Sequence, residues 1–203
     1  MSKQINKEIE NSIRDDSELV KAFQSGKMIA FDELILRHKD RIFSLCYRFT
    51  GNFHEAEDCA QDVFLKVYRS LMRFRLESSF YTWLYRITVN TCKSRLKSIK
   101  DRDIKKIGYM DNPEKCGEDY QALEKGDEGE SPVTELEKME RIRLVQNAID
   151  SLPAWQKDVI ILRDIEGLSY EEITRITGYR LGTLKSKLSR ARHSLKERLG
   201  RII

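Results

Sequence analysis

Charge is laid out along this chain in blocks, and the blocks limit what it can fold into more than any single residue does. From Asp111 to Glu137 there are ten acids and two lysines, a net of −8. The same stretch holds Pro113, Gly117, Gly126, Gly129 and Pro132 and few large apolar residues. Such a segment cannot bury enough surface to offset the entropy of ordering it, so it reads as a flexible acidic linker. The regions around it are basic. Arg86–Lys106 carries eight bases against two acids, and Arg180–Arg201 carries eight against one. A formal charge of only +4 over 203 residues therefore conceals two cationic regions tied by an anionic strap. The expected organisation is a tail over 1–14, a first domain over 15–106, the linker over 107–137 and a second domain over 138–203.

Both regions read as helical. Leu19, Phe23, Phe31, Leu34, Ile35, Ile42, Leu45 and Phe49 recur at helical spacing until Gly51-Asn52 breaks the pattern. Asn52 with Glu55 has the form of a capping box, and Ala56, Ala60, Val63, Val67 and Leu71 then make a buried stripe. No convincing period-2 run occurs, so the fold class is all-α, in two small helical domains. The longest purely aliphatic run, Val159–Leu162, is far short of the ~20 residues that span a bilayer. The first residues lack the apolar core of a secretory signal. A cytoplasmic protein without membrane insertion is expected. Cys46, Cys59, Cys92 and Cys116 include no C-x-x-C pair and give no disulfide framework. Reduced, partly buried thiols are the reading, with no metal and no cofactor.

Three elements fill the second domain. Pro153 suits the first turn of a helix carrying Val159, Ile160 and Leu162, which Gly167 stops. Ser169-Tyr170-Glu171-Glu172 has the S-x-x-E form that starts a short helix through Ile173 and Ile176, and Gly178 stands where that helix should end. A long helix follows, with Leu181, Leu184, Leu188, Ala191, Leu195 and Leu199 on one stripe. A short helix, a glycine turn and a longer basic helix make the pattern of helix-turn-helix DNA readers. With the leucines inward, Lys185, Ser186, Ser189 and Arg190 point outward near the N-terminal half, where base edges are read. Lys187, Arg192, Lys196, Arg198 and Arg201 are better placed for phosphates. The bland alternative is a surface helix with solvated lysines.

In the first domain, Phe74, Phe80, Tyr81, Trp83 and Tyr85 crowd into twelve residues, interleaved with Arg73, Arg75 and Arg86. Rings and guanidinium groups together suit unstacked single-stranded bases, at ~1–3 kcal/mol per stack. The same rings at helical spacing also suit a core, and the sequence leaves both readings open. Arg86, Asn90, Lys93, Lys97 and Lys100 follow as a cationic ridge. The helix from His54 to Leu71 has the opposite character, with Asp58, Gln61, Asp62, Leu65 and Arg69 outward. Acids repel phosphates, so this face reads as a protein contact anchored on Leu65. His54, Asp58 and Asp62 share a face, but His-Glu-Ala-Glu-Asp lacks the second histidine of H-E-x-x-H, so metal is disfavoured.

These residues resemble a known family. Asp15–Val20, Ala56–Phe64 and Phe80–Asn90 are similar to region 2 of extracytoplasmic-function sigma factors, group IV of the sigma-70 family of RNA polymerase subunits. Leu152-Pro153, Glu166–Ile173 and Gly182–Arg192 are similar to region 4. The resemblance implies a non-enzymatic specificity subunit that directs promoter recognition, DNA melting and transcription initiation. It implies that Asp58, Gln61, Asp62 and Leu65 contact core RNA polymerase. It places the −10 element on Phe74, Arg75, Ser79, Phe80, Trp83, Arg86, Asn90 and Lys93. It places the −35 element on Arg163, Tyr170, Glu171, Lys185, Ser186, Lys187, Ser189 and Arg190. Control by an anti-sigma factor is also implied, and the acidic linker would lie along the RNA exit path. Arg180-Leu181 departs from the family's pattern and leaves a poor N-cap for the recognition helix, while Thr174 replaces a frequent alanine.

The rival is a stand-alone helix-turn-helix regulator that does not engage polymerase and uses the face around Leu65 to pair with its own copy. For the recognition helix, Arg190→Ala should cost on the order of 1–3 kcal/mol and relax preference at one promoter position. Lys196→Ala should weaken binding to all sequences alike and flatten its salt dependence. Binding isotherms over a promoter series at several salt concentrations separate the two effects.

Overall fold

The computed structural model describes residues 15–106 and 132–200; the tail, the segment 107–131 with Cys116, and 201–203 lie outside the described residues. Among the described residues there are helices and no strands, as the apolar spacing implies. The elements are α1 (Asp16–Gln24), α2 (Ile29–Thr50), α3 (Phe53–Leu71), α4 (Phe80–Lys106), α5 (Pro132–Asp150), α6 (Ala154–Ile160), α7 (Tyr170–Thr177) and α8 (Leu181–Leu199), with a π turn over Ile161–Ile165. One boundary corrects the sequence reading. Helix α5 begins at Pro132, inside the stretch expected to be linker. Proline fits a first helical turn, where its missing N–H costs nothing, and apolar residues return from Val133 onward. Net charge alone hid that start.

Caps explain the other boundaries. Gly51 ends α2 in the left-handed conformation, its N–H donating to Tyr47 O. Asn52 accepts from the Glu55 N–H at 3.0 Å, but only this half of the expected box forms, because the Glu55 carboxylate turns to Arg95 of α4. Ser169 and Glu172 make both halves, at 3.1 and 2.8 Å, and Gly178 closes α7 with φ 75°. Pro153 sits one place earlier than expected, as the N-cap of α6, its carbonyl accepting from Gln156 and Lys157. Helix α6 then widens into the π turn, where Glu166 N–H reaches Ile161 O at 2.9 Å. The Arg180 side chain offers α8 no cap.

The stripe of α3 is buried throughout, against Leu34, Ile42, Leu45 and Phe49 of α2 and Leu84 and Val89 of α4. In the C-terminal half, Val159, Ile160, Ile161 and Leu162 pack with Ile173, Ile176, Leu184, Leu188 and Ala191. Leu181, expected on that stripe, is 45% exposed, because it is the first residue of α8 and lies ahead of the turn that meets the core.

Both halves share one hydrophobic cluster, and α4 packs against α7. Polar bonds reinforce the joint. Lys157 Nζ donates to Phe49 O at 2.7 Å and to the Asp150 carboxylate, and Gln146 donates to Arg48 O at 3.3 Å. Tyr85 Oη donates to Glu166 at 2.7 Å, with Arg48 3.5 Å from the same carboxylate. Burial and this carboxylate push the Tyr85 phenol far up, so it stays a donor.

Gly51 and Gly178 are both left-handed, but only Gly51 has a neighbour in the way: an added Cβ would lie 2.8 Å from an Asp150 carboxylate oxygen, while none lies within 4 Å of Gly178. Gly178→Ala should cost about 1–2 kcal/mol for the backbone conformation alone. Gly51→Ala should cost more, because Asp150 has to move away from Lys157. Denaturant titrations of the two variants test the difference.

Candidate nucleic-acid interface

The loop between α3 and α4 builds the first part of the site. Leu76 is held at φ 57°, a conformation that costs a non-glycine residue about 1–2 kcal/mol. Ser79 then starts α4, its Oγ accepting from the Thr82 N–H at 3.1 Å and sharing a 2.8 Å bond with Thr82 Oγ1. Beside this turn lies a pocket of about 430 Å³. Arg73, Phe74, Arg75, Glu77 and Ser78 form one wall, Thr82, Trp83 and Arg86 another, and Arg175 of α7 reaches in from the other half. Four arginines against one glutamate make it an anion-attracting cavity.

The structure answers the question the aromatics left open. Phe80 and Tyr85 are core residues, 4% and 0% exposed. Phe74 and Trp83 are only 8% exposed and stack on each other with centroids 4.6 Å apart, yet both line the pocket. They form an aromatic wall rather than free platforms. Tyr81 is half-buried beneath the Arg41 guanidinium. Along the ridge, Arg86, Asn90 and Lys97 are exposed, but Lys93 is not presented to solvent as a free cation. Its ammonium lies 2.6 Å from Asp158, a carboxylate only 5% exposed on α6. Burial raises the Asp158 pKa, and the bonded Lys93 opposes that rise.

On α3, Asp58, Gln61, Asp62 and Leu65 are all exposed on one face. Sequence reasoning missed what organises it. Arg95 Nη2 donates to Asp58 at 2.6 Å, its Nε pairs with Glu55, and Asp62 lies 3.5 Å away. Arg95 is nine residues beyond Arg86 on the same helix, half a turn away from the ridge. That offset was the available signal. Leu65, Tyr68 and Met72, each at least 42% exposed, continue as an apolar stripe beside the acids.

In the helix-turn-helix, Lys185, Ser186, Ser189 and Arg190 are exposed along the N-terminal half of α8, and Glu171 is exposed on α7. Ser186 Oγ also donates to Thr183 O at 2.9 Å. Arg163, Tyr170 and Lys185 come together, the Tyr170 ring lying 4.8 Å from the guanidinium and 5.9 Å from the ammonium. Arg163 is further fixed by donating to Leu168 O at 2.6 Å. Some expected phosphate ligands are engaged elsewhere. Lys187 sits over the rings of Trp155 and Tyr179, Arg192 pairs with Asp164, and Arg198 donates to Ser151. Lys196 is exposed.

The fold and this geometry define a helical protein with a helix-turn-helix on one half and a cationic, aromatic-walled pocket on the other. Comparison with known proteins narrows the class. Sigma-70 region 2 matches residues 34–102 and Sigma-70 region 4 matches residues 142–195. The RNA polymerase sigma-H factor of Pseudomonas aeruginosa is 36% identical over 195 residues, covering 91% of this chain and 93% of that relative. The ECF RNA polymerase sigma factor SigW of Bacillus subtilis is 33% identical over 184 residues, covering 89% and 94%. Among solved structures, the sigma factor RpoE from Bartonella quintana, bound to the anti-sigma factor NepR, aligns with a TM-score of 0.64 at 25% identity over 84% of this chain and 96% of that one. The chain belongs to the sigma-70 family of RNA polymerase sigma factors, in its extracytoplasmic-function group. No helix among the described residues is long and apolar enough to cross a membrane.

Lys93→Met should leave Asp158 buried without its cation, costing on the order of 1–3 kcal/mol near neutral pH. A carboxyl whose folded pKa is raised loses this penalty as pH falls through that pKa, so the variant should recover stability toward acid relative to the wild type. Adding Asp158→Asn should relieve most of the loss at neutral pH. Thermal unfolding across a pH series reads both.

Proposed function

We propose that this sigma factor directs core RNA polymerase to promoters by gripping DNA at two places. The N-terminal half of α8, with Lys185, Ser186, Ser189 and Arg190, reads the −35 element in the major groove, and Glu171 and the Arg163–Tyr170 stack support it from the neighbouring elements. The pocket at the start of α4 takes the melted −10 strand. Arg75 and Arg86 meet its phosphates, Asn90 reads a base edge, and Phe74 and Trp83 supply the apolar wall against which an extruded base lies. Ser79 and Phe80 position the start of that helix from within. Lys93 contributes once its pairing with Asp158 opens.

The observation that carries this reading is the arginine-rich pocket of about 430 Å³ with its stacked ring wall. Extruding a base costs a few kcal/mol. Stacking and hydrogen bonds of ~1–3 kcal/mol each offset this only when several act together, so contacts made by polymerase supply the remainder. Asp58, Gln61, Asp62 and the stripe led by Leu65 are our candidates for that docking face, an apolar anchor within a polar rim. An anti-sigma factor is the regulator we expect, since the Bartonella relative is solved bound to one. The protein acts by binding, without chemistry of its own.

Reconstitution with bacterial core polymerase over a randomised promoter library tests the reading. The wild type should initiate from a shared pair of spaced elements. Asp58→Lys should abolish co-purification with core, and Asn90→Ala should slow open-complex formation while leaving core binding intact. A chain that pairs with itself through α3 and never directs initiation would instead be a stand-alone regulator.

A further inference from the structure

Three cysteines far apart in sequence meet at one point in the core, where α2, α3 and α4 cross. Cys46, Cys59 and Cys92 are each 0% exposed. Their sulfurs lie 3.4 Å apart for Cys59 and Cys92 and 3.8 Å apart for Cys46 and Cys92, and all three fall within 4.8 Å of one another. A metal bonded to thiolates at about 2.3 Å in a trigonal plane sets its sulfurs about 4.0 Å apart. Two sides of the triangle are 0.2–0.6 Å shorter than that and the third is at most 4.8 Å, so small shifts of the side chains reach it.

The make-up of the donor set bears on which ion fits. No histidine or carboxylate among the described residues joins the three sulfurs, so the donor set is sulfur alone and three in number. Zinc in a structural site takes four ligands, and hard cations take oxygen. A soft d10 monovalent ion accepts an all-thiolate, three-coordinate shell.

We propose that Cys46, Cys59 and Cys92 form a binding site for one soft, thiophilic monovalent metal ion, with Cu(I) as its representative. Binding exchanges the thiol protons for the ion with no change of oxidation state, the protons passing to buffer. The bound ion ties three helices at one node. Cys59 directly follows Asp58, so the node adjoins the acidic face of α3. The site stands on the described geometry alone and does not depend on how the protein meets DNA or polymerase.

The test uses the full-length reduced chain under argon, titrated with Cu(I) supplied as its acetonitrile complex against a chromogenic Cu(I) chelator. The wild type should withdraw one equivalent, raise its Tm on binding, and show an X-ray absorption shell of three sulfurs at about 2.3 Å. Cys59→Ser and Cys92→Ser should each lower affinity by more than ~100-fold, beyond the loss typical of an outer-shell partner. Cys116→Ser should leave binding unchanged. A wild-type chain that fails to compete, an absorption shell of nitrogen or oxygen, or binding that disappears with Cys116→Ser would each overturn the site. The absorption measurement needs no variant, so misfolding of a substituted core cannot mask the answer.

Discussion

The C-terminal end of α2 is finished by residues from the other half of the molecule, and the joint between the halves depends on that. The last carbonyls of a helix have no partner within it and carry its negative dipole end. Here Arg48 O accepts from Gln146, and Phe49 O accepts from the ammonium of Lys157. Lys157 is only 8% exposed and also holds Asp150, which in turn lies against Gly51. A buried cation needs this full set of partners, since stripping one from such a pair typically costs about 3–5 kcal/mol. The shared hydrophobic cluster, the Tyr85–Glu166 bond and the Lys93–Asp158 pair extend outward from this point.

Positive charge in this chain consequently does two jobs. Some bases neutralise acids within the fold: Arg95 gathers Glu55, Asp58 and Asp62, Lys93 serves Asp158, and Arg192 serves Asp164. Others, including Arg86, Lys185 and Arg190, stand exposed on the proposed DNA-facing surfaces. A count of lysines and arginines merges these populations, which is why the block charges overstate what is presented to a partner.

Local periodicity made the helices legible. The α3 stripe could be written from its spacing, and the Ser169–Glu172 box and Gly178 stop from residue types at fixed offsets. Those features depend on neighbours within one or two turns. What stayed hidden depends on crossings between helices. Cys46, Cys59 and Cys92 share no motif because their spacing reflects where three helices meet. Arg95 was visible only as one more base, and the burial of Phe74 and Trp83 could not be separated from exposure because both fit the same pattern. The start of α5 was obscured for another reason: acids that signal disorder in a loop are ordinary on a helix that begins with proline.

Arg175 gives the joint a consequence for binding. It comes from α7 yet forms part of the wall around Phe74, Trp83 and Arg86. Under the proposed function, a strand entering there would meet a cavity whose far side belongs to the half that reads a second segment of duplex. If that second segment lies beyond the reach of the joined halves, only molecules in which they have parted would bind both. Apparent affinity then equals the intrinsic value scaled by that competent fraction. Any partner that holds the halves apart would tighten DNA binding without touching DNA.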